Sequence, residues 1–346
     1  MDVSPPIGVG LTAARTVNDN NRNTRFWVVR GWLVACCGLV FSMVVLGGLT
    51  RLTHSGLSMV EWNPLTILPP LSDQEWLKTF SLYQTSPEFR QINPDMDVSG
   101  FKSIFWLEYL HRLVGRLTGF VFAIPLVIFW AKGMLPQVMG KRLILIFGLG
   151  ALQGLIGWLM VASGLVDQPQ VSHFRLAAHL LMALLIYSAL VWTVLDLSPI
   201  ALRPSYLSRV ALLPLILVFG TITWGAFVAG LHAGLIYDTF PLMNGQFFPE
   251  DGLALHPILT NFVENLSTVQ FTHRLLAGAT VLSLTTLWLF SRSALIALPA
   301  LWSWVQGSLG VFTLLFHVPV PLAALHQAGA VILLTLILRM VHRMHT

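Results

Sequence analysis

Charge is what this chain has least of. Only 10% of its 346 residues are Asp, Glu, Lys or Arg, and 55% are hydrophobic. An ordinary soluble domain carries about 25% charged residues, so a water-soluble globular protein is excluded. Cysteine is almost missing as well: Cys36 and Cys37 are the only two, adjacent and inside an apolar run. Neighbours on a helix cannot form an ordinary disulfide, so both read as small lipid- or core-facing residues. The first 25 residues lack an apolar core and so do not form a cleaved signal peptide. They are expected to be a short disordered cytoplasmic tail.

What is there is apolar length. Eight runs of about 20 residues, the length that crosses a bilayer, lie near 31–50, 104–130, 143–166, 174–195, 210–231, 268–290, 294–316 and 320–341. The net charge of +5 does not point to nucleic acid, because the basic residues are sorted by side, as the positive-inside rule expects. With the N-terminus cytoplasmic, the inner side holds twelve of the twenty basic residues, among them Arg25, Arg30, Lys141, Arg142, Arg292 and Arg339, against three acids. The outer side holds the other twelve acids. Both termini are therefore expected inside, with eight spans between them.

The two halves repeat one another. His54-Ser-Gly-Leu ends the first run and His232-Ala-Gly-Leu ends the fifth; Glu108-Tyr-Leu-His111-Arg112 opens the second and Gln270-Phe-Thr-His273-Arg274 opens the sixth. Gln153-Gly-x-x-Gly157 marks the third run and Gln306-Gly-x-x-Gly310 the seventh, while His179 and His326 stand on the fourth and eighth. Four spans per copy is an even number, so both copies point the same way through the membrane. The predicted fold is all-α and integral to the membrane. It has eight transmembrane helices, arranged as two parallel four-helix bundles related by a pseudo-two-fold axis along the membrane normal, a known repeat type. The expected units are 26–198 and 199–346, joined by a cytoplasmic loop that contains Pro199 and Pro204. Two long outer loops, near 51–103 and 232–267, follow the first helix of each unit. Trp62, Pro64, Pro69, Pro70 and Trp76 suggest a partly ordered cap in the first.

A histidine inside a membrane span is costly without a partner and so marks function. His111, His179, His273 and His326 fall at repeat-related positions near the outer ends of their runs, at equal offsets from each start. Neutral imidazole is an axial ligand of haem iron, and a haem between two helices needs one histidine from each at the same depth. The expected pairs are His111 with His179 and His273 with His326. Four residues after each histidine, on the same face, comes a small residue: Gly115, Ala183, Ala277 and Ala330. That leaves room for a flat ring. Arg112 and Arg274 are placed to hold propionates through charge-assisted hydrogen bonds. His54 and His232 read as interfacial, and His173, His256, His317, His342 and His345 as solvated. The copies differ at one place: Glu108, three residues before His111, is replaced by Gln270 in the second copy. Keeping the shape and dropping the charge points to chemistry in the first pocket and a held cofactor in the second.

The set Glu108-x-x-His111-Arg112, His273-Arg274, His326-Gln327, the stretch Gly-Gly-Leu-Thr-Arg-Leu-Thr-His-Ser-Gly-Leu-Ser at 47–58 and Trp62-x-Pro64 resembles heme A synthase. The likeness runs from about residue 30 to 341 and is to the proteobacterial and mitochondrial branch, without the outer-loop cysteine pairs of another branch. The resemblance implies conversion of haem O to haem A for cytochrome oxidase assembly. A ring methyl is oxidised to a formyl group through two hydroxylations and loss of water. It implies substrate haem O between His111 and His179, a haem b cofactor between His273 and His326, and Glu108 near the reacting methyl. It also implies an electron-transfer partner, a haem O synthase upstream, and a bacterial inner membrane location. The competing reading is a dihaem b-type cytochrome that passes electrons from quinol.

Overall fold

A computed structural model describes residues 9–62, 68–197 and 207–345. Pro64, Pro199 and Pro204 fall outside them. Eight helices are long and apolar enough to cross a membrane. They are α1 (Val9–Leu52), α2 (Val98–Ala131), α3 (Gln137–Ala162), α4 (His173–Asp196), α5 (Leu212–Gly230), α6 (Leu266–Ser291), α7 (Ala294–Leu315) and α8 (Val320–His345). Among the described residues the only strand-like pairing is the isolated bridge Met243–Gln246. An all-helical chain is what a bilayer demands, because each spanning segment must satisfy its own backbone groups. The chain is a multi-pass membrane protein, and its unburied face is lined with residues such as Val127, Leu145 and Phe290.

Local chemistry sets the helix ends. Asp97 caps α2 by accepting from the Gly100 amide at 2.8 Å, and Asn265 caps α6 by accepting from the Thr268 amide at 3.0 Å. Side-chain caps of this kind satisfy donors that the first turn leaves open. The α7–α8 turn is tight, with His317 and Val318 both in the left-handed region at φ 58°.

Two helix starts differ from expectation. First, α1 begins at Val9, so only residues 1–8 of the expected disordered tail lie outside the described residues. Helix nucleation is the costly step and propagation is cheap. A proline-free stretch running directly into a spanning helix extends it. Second, α2 begins at Val98 rather than near 104. Its extra turns are held by the loop before it: Trp76, Phe80 and Tyr83 from the helix Asp73–Tyr83 bury against Phe101 and Phe105. The Trp76 and Phe105 rings meet edge to face at 5.0 Å. This cap marks one end of the molecule.

In the first half α1 packs on α2, α2 on α3, α3 on α4 and α4 on α1; in the second half α5 packs on α6, α6 on α7, α7 on α8 and α8 on α5. Contacts between the halves are α1 with α8, α4 with α5, and α4 with α8. Their shared core contains Val44, Leu184, Tyr187, Val218, Leu284, Leu334 and Ile337. At the end opposite the cap, His342 of α8 is 1% exposed and bonds Asp196 of α4 at 2.8 Å. Asp196 in turn pairs with Arg142 of α3. The expectation that His342 is solvated is therefore corrected: the end of α8 lies against α4, where a carboxylate awaits the imidazole. His173 is corrected too. It lies over Gly230 and rests edge-on against Phe227 at 5.7 Å. His256 and His317 are exposed as expected.

Candidate functional site

Each of the four histidines rests on a glycine of the neighbouring helix. An added Cβ at Gly47 of α1 would stand 3.1 Å from His111 Cε1, and one at Gly225 of α5 would stand 3.1 Å from His273 Cε1. At Gly157 of α3 and Gly310 of α7 the same atom would stand 2.8 Å from His179 Cε1 and His326 Cε1. A side chain at any of these four positions would push on the ring. First helix holds second and third holds fourth, in both halves. Helix offset is not what sets the depth of His111, since α2 starts two turns early; the level of Gly47 sets it.

The second pair is the more closely defined. The rings of His273 and His326 are 6.5 Å apart, centroid to centroid, and nearly perpendicular at 88°. A metal ion held from opposite sides by imidazole nitrogens at about 2 Å each puts the ring centroids about 6 Å apart, so the pair fits a shared iron. The outer ring nitrogens have partners suited to that role. His273 Nδ1 lies 3.0 Å from the Thr221 carbonyl oxygen, and donating to it leaves Nε2 free as a ligand. The Gln306 amide lies 3.0 Å from His326 Nδ1. Its Oε1 has no other partner and is buried; an amide presents either end to a ring nitrogen. In the first half Gln153 takes the same place, bonding the His179 carbonyl at 3.1 Å. There His111 Nδ1 and His179 Nδ1 are buried without a partner. Buried imidazole nitrogens are ordinarily paired, so these two call for a partner that the neighbouring side chains do not supply.

Glu108 is 3% exposed and fully engaged. Its Oε2 accepts from Ser58 Oγ at 2.7 Å and from the Met59 amide at 2.8 Å. Its Oε1 accepts from Arg112 Nε at 3.0 Å and Nη2 at 2.5 Å. Arg112 also donates to the carbonyls of Met59 at 2.8 Å and Glu61 at 3.0 Å. The second half repeats the geometry without the carboxylate: Arg274 donates to Tyr237 at 3.0 Å and Thr239 at 2.9 Å. Gln270 Nε2 donates to Tyr237 O at 3.0 Å, and its Oε1 is buried without a partner. The arginines expected to hold propionates thus pin the start of each capped-end loop, a role the sequence did not reveal.

Of the small residues, Gly115 faces Met43, whose Cε would lie 3.4 Å from an added Cβ. Ala183 and Ala330 pack on the core between the halves, and Ala277 is half-buried. His54 and His232 are exposed and pair with each other across the halves, rings 6.2 Å apart at 15°. Sequence reasoning missed the ring-bearing glycines Gly47 and Gly225, and it noted Gln153 and Gln306 only as repeat markers.

The family model COX15-CtaA, described as cytochrome oxidase assembly protein, matches residues 30–338. The chain is 46% identical to a heme A synthase of Nitrosospira multiformis over 332 residues, covering 90% of this chain and 92% of the relative. It is 43% identical to a heme A synthase of Parvibaculum lavamentivorans, covering 94% and 96%. The human protein Heme A synthase COX15 is 46% identical over 330 residues, covering 89% of this chain and 80% of the relative.

Proposed function

The chain belongs to the COX15-CtaA family of cytochrome oxidase assembly proteins, and on that premise we propose that it is an oxidoreductase that converts haem O to haem A. The observation that carries this reading is the pair of histidine sites, each ring backed by a glycine of the neighbouring helix, of which only the first has a carboxylate one turn before its histidine. The electron-transferring dihaem cytochrome leaves the change from Glu108 to Gln270 without a reason, and the relatives described above are all heme A synthases.

In this reading residues 26–198 form the substrate unit and residues 199–346 the cofactor unit. The contacts between the halves support a pseudo-two-fold axis along the membrane normal: exchanging the halves turns the α1–α8 contact into α5–α4 and maps α4–α8 onto itself. His273 and His326 would hold haem b, which supplies one-electron chemistry when bound. His111 and His179 would hold the iron of the substrate haem O, with Gly115 and Ala277 giving each ring room. Any free donors on Arg112 and Arg274 would face the propionates.

Glu108 has two roles open to it. Oxidising a methyl to an aldehyde builds positive charge on the carbon, and a fixed carboxylate stabilises that charge without reorganising. The same carboxylate acts as general base toward the attacking water only after giving up a donor, because its two oxygens already accept four hydrogen bonds. The Ser58 hydroxyl is the donor that rotates away most easily. Replacing methyl hydrogens by oxygen from water releases protons and electrons in equal number, and a haem held by His273 and His326 would supply the one-electron chemistry by which the electrons leave to an acceptor. A haem O synthase would supply the substrate and cytochrome oxidase would receive the product. The capped end would face the periplasm of a bacterial inner membrane, with both termini cytoplasmic.

Haem extraction and mass analysis of the purified protein test this reading. Wild type should carry haem b together with haem O, haem A or an intermediate between them. His273→Ala and His326→Ala should lose haem b, whereas His111→Ala and His179→Ala should keep haem b and lose the farnesylated haems. A wild type that contains haem b alone under all conditions would return the electron-transfer reading.

A further inference from the structure

Gln327 follows His326 on α8, but its side chain leaves its own half. Its Nε2 donates to the Val44 carbonyl of α1 at 2.8 Å. Its Oε1 lies over Gly48, where an added Cβ would stand 1.8 Å from that oxygen, so a side chain there would displace the amide. The residue before it, Gly47, is the floor under His111. One turn of α1 therefore touches a histidine of the first pair directly and the neighbour of a histidine of the second pair.

The repeat provides an internal comparison. The counterpart of Gln327 is Leu180, one residue after His179, and the counterpart of Gly48 is Ala226, one residue after Gly225. Leu180 and Ala226 share an apolar cluster between α4 and α5. The same contact between halves is thus apolar on one side and built from a half-buried amide on the other. The two positions differ together: where the amide appears, the alanine has become glycine to receive it. An unpaired amide at an apolar contact is costly, so this one is matched to its acceptor.

We propose that Gln327 is a positioning residue that fixes His111 and His326 relative to one another through α1, so that a change at one histidine pair is transmitted to the other. This rests on the haem-binding reading above. A shift of His326 carries Gln327 with it. The bond to Val44 then drags the turn on which His111 rests. At the Leu180–Ala226 contact apolar surfaces slide without a directional bond, so the link runs through one of the two symmetric contacts.

The test uses the full-length protein purified with its haem b. The low-spin ferric electron paramagnetic resonance signal of that haem follows the orientation of its two imidazoles. Haem O is titrated in as the probe of the first site. In wild type, loading haem O shifts the haem b signal. In Gln327→Leu the shift is lost while haem b stays bound, and Gly48→Ala, which expels the amide, gives the same loss. The double variant is no worse than either single one. Tyr187→Phe removes another bond between the halves, Tyr187 to Thr335 at 2.9 Å, and keeps the shift. The proposal is overturned if wild type shows no shift, if Gln327→Leu and Gly48→Ala retain it, or if Tyr187→Phe abolishes it equally. A wild type without any haem signal sinks the haem-binding reading instead.

Discussion

Replacing Glu108 by Gln makes the first site a copy of the second, and the structure sets the size of the effect. Glu108 and Arg112 are buried partners, their side chains 3% and 10% exposed. Glu108→Ala strands the guanidinium, the Ser58 hydroxyl and the Met59 amide at once, and breaking a buried pair in this way costs about 3–5 kcal/mol. Glu108→Gln keeps an acceptor oxygen for one of them. Arg274 beside Gln270 shows that the arginine can rest on two loop carbonyls alone. The Gln variant should therefore lose about 1–2 kcal/mol, the scale of a neutral hydrogen bond or two. Neither change approaches His273 or His326, so haem b content should match wild type. Conversion should fall about 10²–10³-fold, the usual loss when one preorganised charge is removed from a reacting centre. Thermal unfolding in detergent measures the first quantity, and the haem A to haem O ratio in extracts measures the second. A Gln variant that makes haem A at the wild-type rate refutes the chemical role. One as unstable as the Ala variant refutes the comparison with Arg274.

The glycines offer paired controls. Gly310→Ala should lower haem b content by driving a Cβ to 2.8 Å from His326, whereas Gly307→Ala meets Val281 only at 3.8 Å and should keep it. Likewise Gly157→Ala should weaken haem O binding and Gly154→Ala, with open space beside it, should not; equal behaviour within each pair would count against the ring-bearing role. In the cap, burial pushes the Glu88 carboxyl up from 4.5 to about 7, the nearby Glu108 charge adding to it and the Tyr83 hydrogen bond opposing it. A raised acid stabilises the fold fully below its free value, and that stability is lost as pH rises through about 7. The amount is at most about 3 kcal/mol at 1.36 per unit. Protection of residues 73–96 from proteolysis should thus fall from acid to mildly alkaline pH, and Glu88→Gln should flatten the profile. A wild-type profile that is already flat removes Glu88 as the cause.

The spans, their number and the four histidines were legible because each has a signature along the chain. Apolar runs of bilayer length announce helices, and a histidine inside one stands out against its surroundings. The exchange of Glu108 for Gln270 was legible because the repeat supplied its own reference. Contacts between distant segments were not legible. Nothing in the local pattern says that Arg112 reaches back to Met59 and Glu61, or that His342 meets Asp196. Helical periodicity gives the face a residue occupies, not which helix lies opposite. Gly47 and Gly225 look like the small residues common to all membrane helices until their neighbours are known. The start of α2 was misplaced for a similar reason: residues 98–103 precede the apolar run, and the cap that packs on Phe101 there comes from a distant segment.

A duplicated unit with this geometry has two places where the copies can diverge without losing the fold. The glycine floors and the arginine anchors are the same in both halves, because each fixes a helix or a loop that either copy needs. The carboxylate beside the histidine differs, and so does the contact that joins the halves. The first difference separates a site where charge must be met from one where it must not, since a buried carboxylate next to a resident cofactor would alter it for no gain. The second difference follows from the first. Once the two sites do different work, coupling between them has a use, and a directional amide bond at one of the two contacts supplies it where an apolar contact slides. If that is the logic of the repeat, moving the amide to the other contact (Leu180→Gln with Ala226→Gly, in a Gln327→Leu, Gly48→Ala background) should restore the haem O-dependent shift at haem b, because the link then runs from His179 through α5, and a shift that stays lost would refute the reasoning. The floor it would then pull on is Gly225 under His273, not Gly47 under His111.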